Sequence, residues 1–135
     1  MLPLLPALAL YAISLACPSF YVTDGSEPPK SFMTGAELLF FGPFAVIQGM
    51  FAWFANPLML LAWIFFARGK VGIAAASAVL ALPIALSFLI HRRFHDGSGM
   101  NTITSSGVGY WLWLAAAVAT LVAVVLSSRG SVTTR

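Results

Sequence analysis

Charge is scarce in this sequence. Lys and Arg together number seven and Asp and Glu four among 135 residues, 8% in all, where an ordinary soluble domain carries about 25%. So few polar groups cannot furnish a surface that keeps monomers apart in water, whereas acyl chains solvate an apolar exterior readily. Cysteine is rarer still. The lone Cys17 excludes an internal disulfide, a cysteine-only zinc site and a paired-cysteine redox centre within one chain. No ionisable residue falls deep in an apolar run, yet a proton-coupled carrier keeps one there to bind its coupling ion. A nucleophile with its base, or two aspartates, would mark an intramembrane protease, and neither pair is present. Phosphate-binding glycine loops are missing too.

What the chain has in quantity is hydrocarbon. Apolar residues make up 60%, and the mean hydropathy is +0.93. The seven basic residues sit singly or in pairs at the ends of apolar runs, a topology signal that points away from nucleic acid. The reading is an all-α integral membrane protein, a four-helix bundle forming a single transmembrane domain over residues 1–135. Its surroundings are the lipid bilayer.

Four runs supply the spans. The first, residues 2–21, approaches the roughly 20 apolar residues that cross a bilayer core. Pro3 and Pro6 fall in its opening turn, where the first amides have no intrahelical acceptor. It lacks the basic leader of a secretory signal and reads as an uncleaved anchor. Ala36 to Ala67 is too long for one straight crossing, since its 32 residues would reach about 48 Å at 1.5 Å per residue. Gly42-Pro43 offers a restart, which leaves 43–67 as a tilted second span, kinked at Asn56-Pro57, with Ala36 to Phe41 near the interface. Arg68-Gly69-Lys70 forms a tight basic turn into the third span, 71–90, and the fourth runs over 108–126. Tyr110, Trp111 and Trp113 stand at its entrance, where amphipathic rings favour the headgroup region. Residues 22–35 and 91–107 read as aqueous loops. With both termini cytoplasmic, Arg68, Lys70, Arg129 and Arg135 lie inside with no acid, against Lys30, Arg92 and Arg93 outside together with Asp24, Glu27, Glu37 and Asp96, a bias of four basic residues to three that Arg92-Arg93 opposes.

Small residues mark the packing faces. Ser77, Ala81 and Ala85 repeat every fourth position in the third span, and Ala115, Ala116, Ala119 and Ala123 line the fourth. They let two backbones approach closely, either inside the bundle or across a self-association seam. Gln48 and Asn56 fall within the second span with Trp53 between them, and carboxamides in hydrocarbon must find partners. Pro57 removes the amide that would bond the Trp53 carbonyl, so a freed acceptor is expected beside Asn56. In the second loop His91, His95 and Asp96 could place two imidazoles on one helical face, as metal sites do. No further ligand is evident, Arg92-Arg93 would repel a cation, and neither a metal nor a cofactor is expected.

The stretch from Tyr11 to Pro18, the string Ala52-Trp53-Phe54-Ala55-Asn56-Pro57-Leu58 and the late Gly109-Tyr110-Trp111-Leu112-Trp113 resemble uncharacterised small bacterial inner-membrane proteins. That resemblance implies location and fold, with no activity, cofactor or catalytic residue to carry over. The expected function is non-catalytic: binding another membrane protein, as an accessory subunit or an immunity-type protector. The alternative is a small channel or permease for a neutral solute, lined by Gln48 and Asn56.

Overall fold

The computed structural model describes residues 2–23, 31–91, 93–95 and 100–130. The chain is mostly helical, in keeping with the all-α expectation. Among the described residues five α-helices form: α1 (Leu5–Ala16), α2 (Gly35–Ile47), α3 (Ala55–Ala67), α4 (Val71–Leu86) and α5 (Val108–Gly130). A 3-10 turn, Phe51–Phe54, leads into α3, and a second, Ser87–Ile90, continues α4.

Two helices, Val71–Ile90 and Val108–Ser128, are long and apolar enough to cross a membrane. Both coincide with spans read from the sequence. Leu2–Ala16 and Phe51–Ala67 are equally apolar in character but shorter. The helix expected over 2–21 stops at Ala16 because Pro18 cannot donate to a helical carbonyl, and the β-branched and aromatic run after it favours extended backbone.

That run is β1 (Pro18–Thr23), and it belongs to a sheet that the sequence reading placed in loops. Strands β2 (Ser31–Thr34), β3 (Arg93–His95) and β4 (Met100–Ser106) complete an antiparallel sheet in the order β2-β1-β4-β3. Residues 22–35 and 91–107 therefore hold ordered strands and the start of α2. Alternation explains the inward face: Phe20 and Val22 on β1 and Ile103 on β4 are buried, and they join Phe88 and Tyr110 in one apolar cluster. Because α1 runs into the sheet, α4 runs into it and α5 leaves it, the strands all gather at one end of the bundle. The Arg68-Gly69-Lys70 turn lies at the other, where Lys70 donates to the Phe65 carbonyl at 2.8 Å and Gly69 to Phe66 at 3.0 Å.

The second expected span, 43–67, is really two elements. A capping box starts α2 early: the Glu37 amide donates to the Thr34 hydroxyl at 3.3 Å, and the Thr34 amide donates to the Glu37 carboxylate at 2.7 Å. Pro43 consequently lies inside α2 and starts nothing. The break comes at Gly49, whose φ of +82° is left-handed and suits glycine at a helix end. There the Met50 amide reaches the Ala45 carbonyl at 3.1 Å and the Gly49 amide reaches Val46 at 2.9 Å, the bonding pattern of a Schellman stop. Pro57 then falls in the first turn of α3, so the expected mid-span kink is a junction between 3-10 turn and α-helix.

The two ends of α2 fix its direction. Its start continues from β2, and the turn at its end touches His91, just before β3. About 20 Å of helix (13 residues at 1.5 Å each) thus lies across the sheet end of the bundle instead of running along it. The remaining helices pack side by side. Ser77, Ala81 and Ala85 are buried, as are Ala116, Ala117 and Ala123, so small residues close the gaps within this chain. Trp63 on α3 donates its indole N–H to the Thr120 hydroxyl on α5 at 2.9 Å, and the Tyr11 ring meets Trp63 edge-on at 5.3 Å.

Candidate functional site

The polar residues picked from the sequence converge at the head of α3. Trp53 stands at the last turn before it and Asn56 in its first turn, and both line a cavity of about 590 Å³ between α2, the inner face of the sheet and the sheet ends of α1, α3 and α5. Gln48 lines the same cavity from the C-terminal end of α2, so it is a helix-end residue and no mid-span carboxamide.

Two prolines explain how this corner is wired. Pro43 has no N–H to give the carbonyl four positions back, which is that of Leu39. The Trp53 indole N–H donates to that Leu39 carbonyl at 3.1 Å. Pro57 frees the Trp53 carbonyl in the same way, and Asn56 Nδ2 donates to it at 3.1 Å. Each acceptor exposed by a missing amide is taken by a side chain from the same short segment.

Asn56 then uses its other atom to join three helices. Its Oδ1 accepts from the Tyr11 hydroxyl on α1 at 3.1 Å and from the Trp113 indole on α5 at 2.8 Å. A carbonyl-type oxygen has two lone pairs, and both are occupied. The close approach of α2 to this segment depends on Gly42: a Cβ there would collide with the Trp53 ring. A glycine three residues from a freed carbonyl is thus the seat for the indole that satisfies it.

Tyr110, Trp111 and Trp113 do not all behave as headgroup anchors. Trp111 is exposed, while Tyr110 is buried with its hydroxyl donating to the Ala85 carbonyl at 3.3 Å. Tyr110 stacks toward Phe88, which in turn meets Phe20, so aromatic rings from α5, α4 and β1 form the cavity floor. Tyr11 and Trp113 were not singled out as partners of Asn56 by sequence reasoning. Their signal was only that an intramembrane carboxamide needs donors of this kind.

The histidine pair is not assembled as a metal site would be. His91 follows the last turn of α4, whereas His95 is in β3, so the two do not share a helical face. The side chain of His95, and Asp96 altogether, lie outside the described residues. His91 has another task. Its Nδ1 is 3.0 Å from the Ser87 carbonyl and its Nε2 3.1 Å from the Gly49 carbonyl, which ties the end of α4 to the stop of α2. Among the described residues no group of three His, Cys, Asp or Glu side chains is placed to hold a metal ion.

Chemically, the corner is saturated. The Ser14 hydroxyl at the cavity wall donates to the Tyr11 carbonyl at 2.7 Å, and no buried side-chain nitrogen or oxygen among the described residues lacks a partner. Such an arrangement knits helices and surrounds an apolar space. Comparison with protein-family models, with curated proteins and with solved structures finds no match to this chain.

Proposed function

We propose that this chain is a non-catalytic, four-span protein of the bacterial inner membrane that works by binding another membrane protein, as an accessory subunit or an immunity-type protector. The observation that carries the reading is the outer face of α2. Phe40, Phe44 and Ile47 are 75%, 65% and 84% exposed at spacings of four and three, so they form one row on a helix that lies across the bundle end. Elsewhere the exposed apolar side chains of α4 and α5 are chiefly aliphatic, such as Leu80 and Val122. Lipid tails cover aliphatic faces without preference, whereas aromatic residues are enriched where proteins meet.

The four-span reading rests on the arrangement of ends. Leu2–Ala16 and Phe51–Ala67, though short, run alongside the two longer helices between the sheet end and the basic turn. Arg68 and Lys70 then mark the cytoplasmic end by the excess of basic residues there, and the sheet with α2 faces the opposite side.

A photoreactive phenylalanine analogue at position 44, activated in native membranes, tests the partner. One defined protein adduct is expected from positions 40 and 44, with none from controls at Leu80 and Val122. Adducts to lipid alone from all four positions would sink the proposal.

A second reading, a channel or permease for a neutral solute, draws support from the meeting of Gln48 and Asn56 in one cavity. Asn56 gives it little, because its oxygen is taken by Tyr11 and Trp113 and one of its two N–H donors by the Trp53 carbonyl, which leaves a single N–H for a solute. Solute flux into liposomes that depends on the purified chain would favour this second reading over the first.

A further inference from the structure

We infer that the cavity beneath α2 binds a hydrocarbon chain, either the acyl tail of a bilayer phospholipid or a free long-chain fatty acid. This goes beyond the partner-binding role and involves the inner side of α2, with Phe44 at the border between the two surfaces. The cavity's volume of about 590 Å³ falls in the range of sites that enclose small ligands. Its walls include Phe20, Val22, Met33, Leu38, Met50 and Phe88, contributed by the sheet, α2, the turn after α2 and the 3-10 turn that continues α4.

Polar chemistry selects among possible guests. The Trp53 indole, the Asn56 carboxamide and the Ser14 and Tyr110 hydroxyls on these walls have partners within the chain. No buried side-chain polar atom among the described residues, Ser19 included, lacks one, and the remaining wall carboxamide, Gln48, belongs to an exposed residue. A guest bearing amide or hydroxyl groups would give up its own hydration there without replacement, at roughly 2–7 kcal/mol per group. Ordered water fares no better, since each molecule needs about two to four polar partners. A methylene chain forfeits nothing and restores the dispersion contacts that an open void lacks.

Access is through α2. Leu39, Phe41 and Phe44 line the cavity and are also exposed, and all three belong to that helix. Among its fastenings to the rest of the chain are the Gly35 amide on the Cys17 carbonyl, the Trp53 indole and the Gly49–His91 contact. A chain drawn from the surrounding lipid therefore passes α2 to reach Met50 and Phe88.

The test uses the full-length protein in phosphatidylethanolamine–phosphatidylglycerol vesicles. In one arm a phospholipid carries a diazirine in one acyl chain; in the other a diazirine fatty acid is added to unlabelled vesicles. Mass spectrometric mapping is expected to find adducts at Met50 and Phe88, which bulk lipid cannot touch because both are buried. The arm that labels them identifies the source of the chain. Adducts confined to outer residues such as Phe40, Ile47 and Leu80 in both arms would overturn the inference. Ala45→Trp, which fills the cavity from α2, is expected to lower labelling of Met50 and Phe88 by about tenfold, the equivalent of 1.4 kcal/mol in affinity. Undiminished labelling in a folded A45W protein also overturns it. Should A45W not fold, Met33→Trp obstructs the cavity from the sheet side and is judged by the same readout. No partner protein is present, and position 40, unlike 44, is not part of the cavity lining, so the outcome is separate from that of the crosslinking at position 40.

Discussion

Replacing Asn56 by alanine is the sharpest probe of the corner that α3 builds. Asn56→Ala removes the acceptor of the Tyr11 hydroxyl, the acceptor of the Trp113 indole and the donor to the Trp53 carbonyl. Interhelical hydrogen bonds in membrane proteins average about 0.6 kcal/mol and reach about 1.7, so the first two together contribute about 1–3 kcal/mol. The Trp53 carbonyl adds to this, because Pro57 has already denied it a helical amide and an unpaired buried group costs about 1–3 kcal/mol. A net loss of about 2–4 kcal/mol is expected, measured by unfolding the protein in mixed micelles with increasing dodecyl sulfate and following helicity by circular dichroism. Trp113→Phe, which removes only one donor, should cost less than Asn56→Ala. Combining the two in a double-mutant cycle should show a coupling of about 0.6–1.7 kcal/mol. If Asn56→Ala unfolds within about 0.5 kcal/mol of the parent, or if the pair is purely additive, the hub described above does not hold the helices together.

Three further outcomes follow from separate features. Gly42→Ala should displace the Trp53 ring and break its bond to the Leu39 carbonyl, detected as a shift in tryptophan emission and faster proteolysis within α2; unchanged emission would refute the close packing. Gly49→Ala forces a Cβ into left-handed backbone at φ +82° and should destabilise by about 1–2 kcal/mol in the same micellar unfolding assay, while an effect near zero would mean that the stop of α2 is not held in that conformation. Trp63→Phe removes the bond to Thr120 between α3 and α5 and should cost about 0.6–1.7 kcal/mol, with Thr120→Val giving a similar loss and the pair failing to add.

How much of this was legible in the sequence differs by element. Val71–Ile90 and Val108–Ser128 could be read directly, because unbroken apolar runs of about span length leave no competing structure. The sheet was hidden by composition. Thr102, Thr104, Ser105 and Ser106 are polar enough to look like loop, and of their hydrophobic counterparts Phe20 falls within the expected first helix and Val22 in the loop after it. The division at Gly49 was missed for a related reason: proline is a louder signal than glycine, so attention went to Pro43 and Pro57. A Schellman stop becomes visible only through carbonyl and amide positions. The importance of Trp53 and Asn56 was legible, since a carboxamide beside a proline in an apolar run must be paired. Their partners were not, because Tyr11 and Trp113 lie 45 and 57 positions away from Asn56 in the sequence.

The wiring around the two prolines also decides between a structural and a solute-binding role for these side chains. A carboxamide that greets a passing solute has to keep a lone pair or an N–H in reserve, and its strength as a ligand falls as internal partners occupy it. Asn56 accepts twice and donates one of its two N–H groups to a carbonyl that Pro57 left open, so a single N–H is all it holds back, and Trp53 fills the acceptor that Pro43 left open. Removing either side chain exposes backbone to hydrocarbon before it changes anything a solute would meet. Their chemistry is therefore directed inward, toward holding α1, α2, α3 and α5 in register. The space they enclose is left to guests that ask for no hydrogen bond.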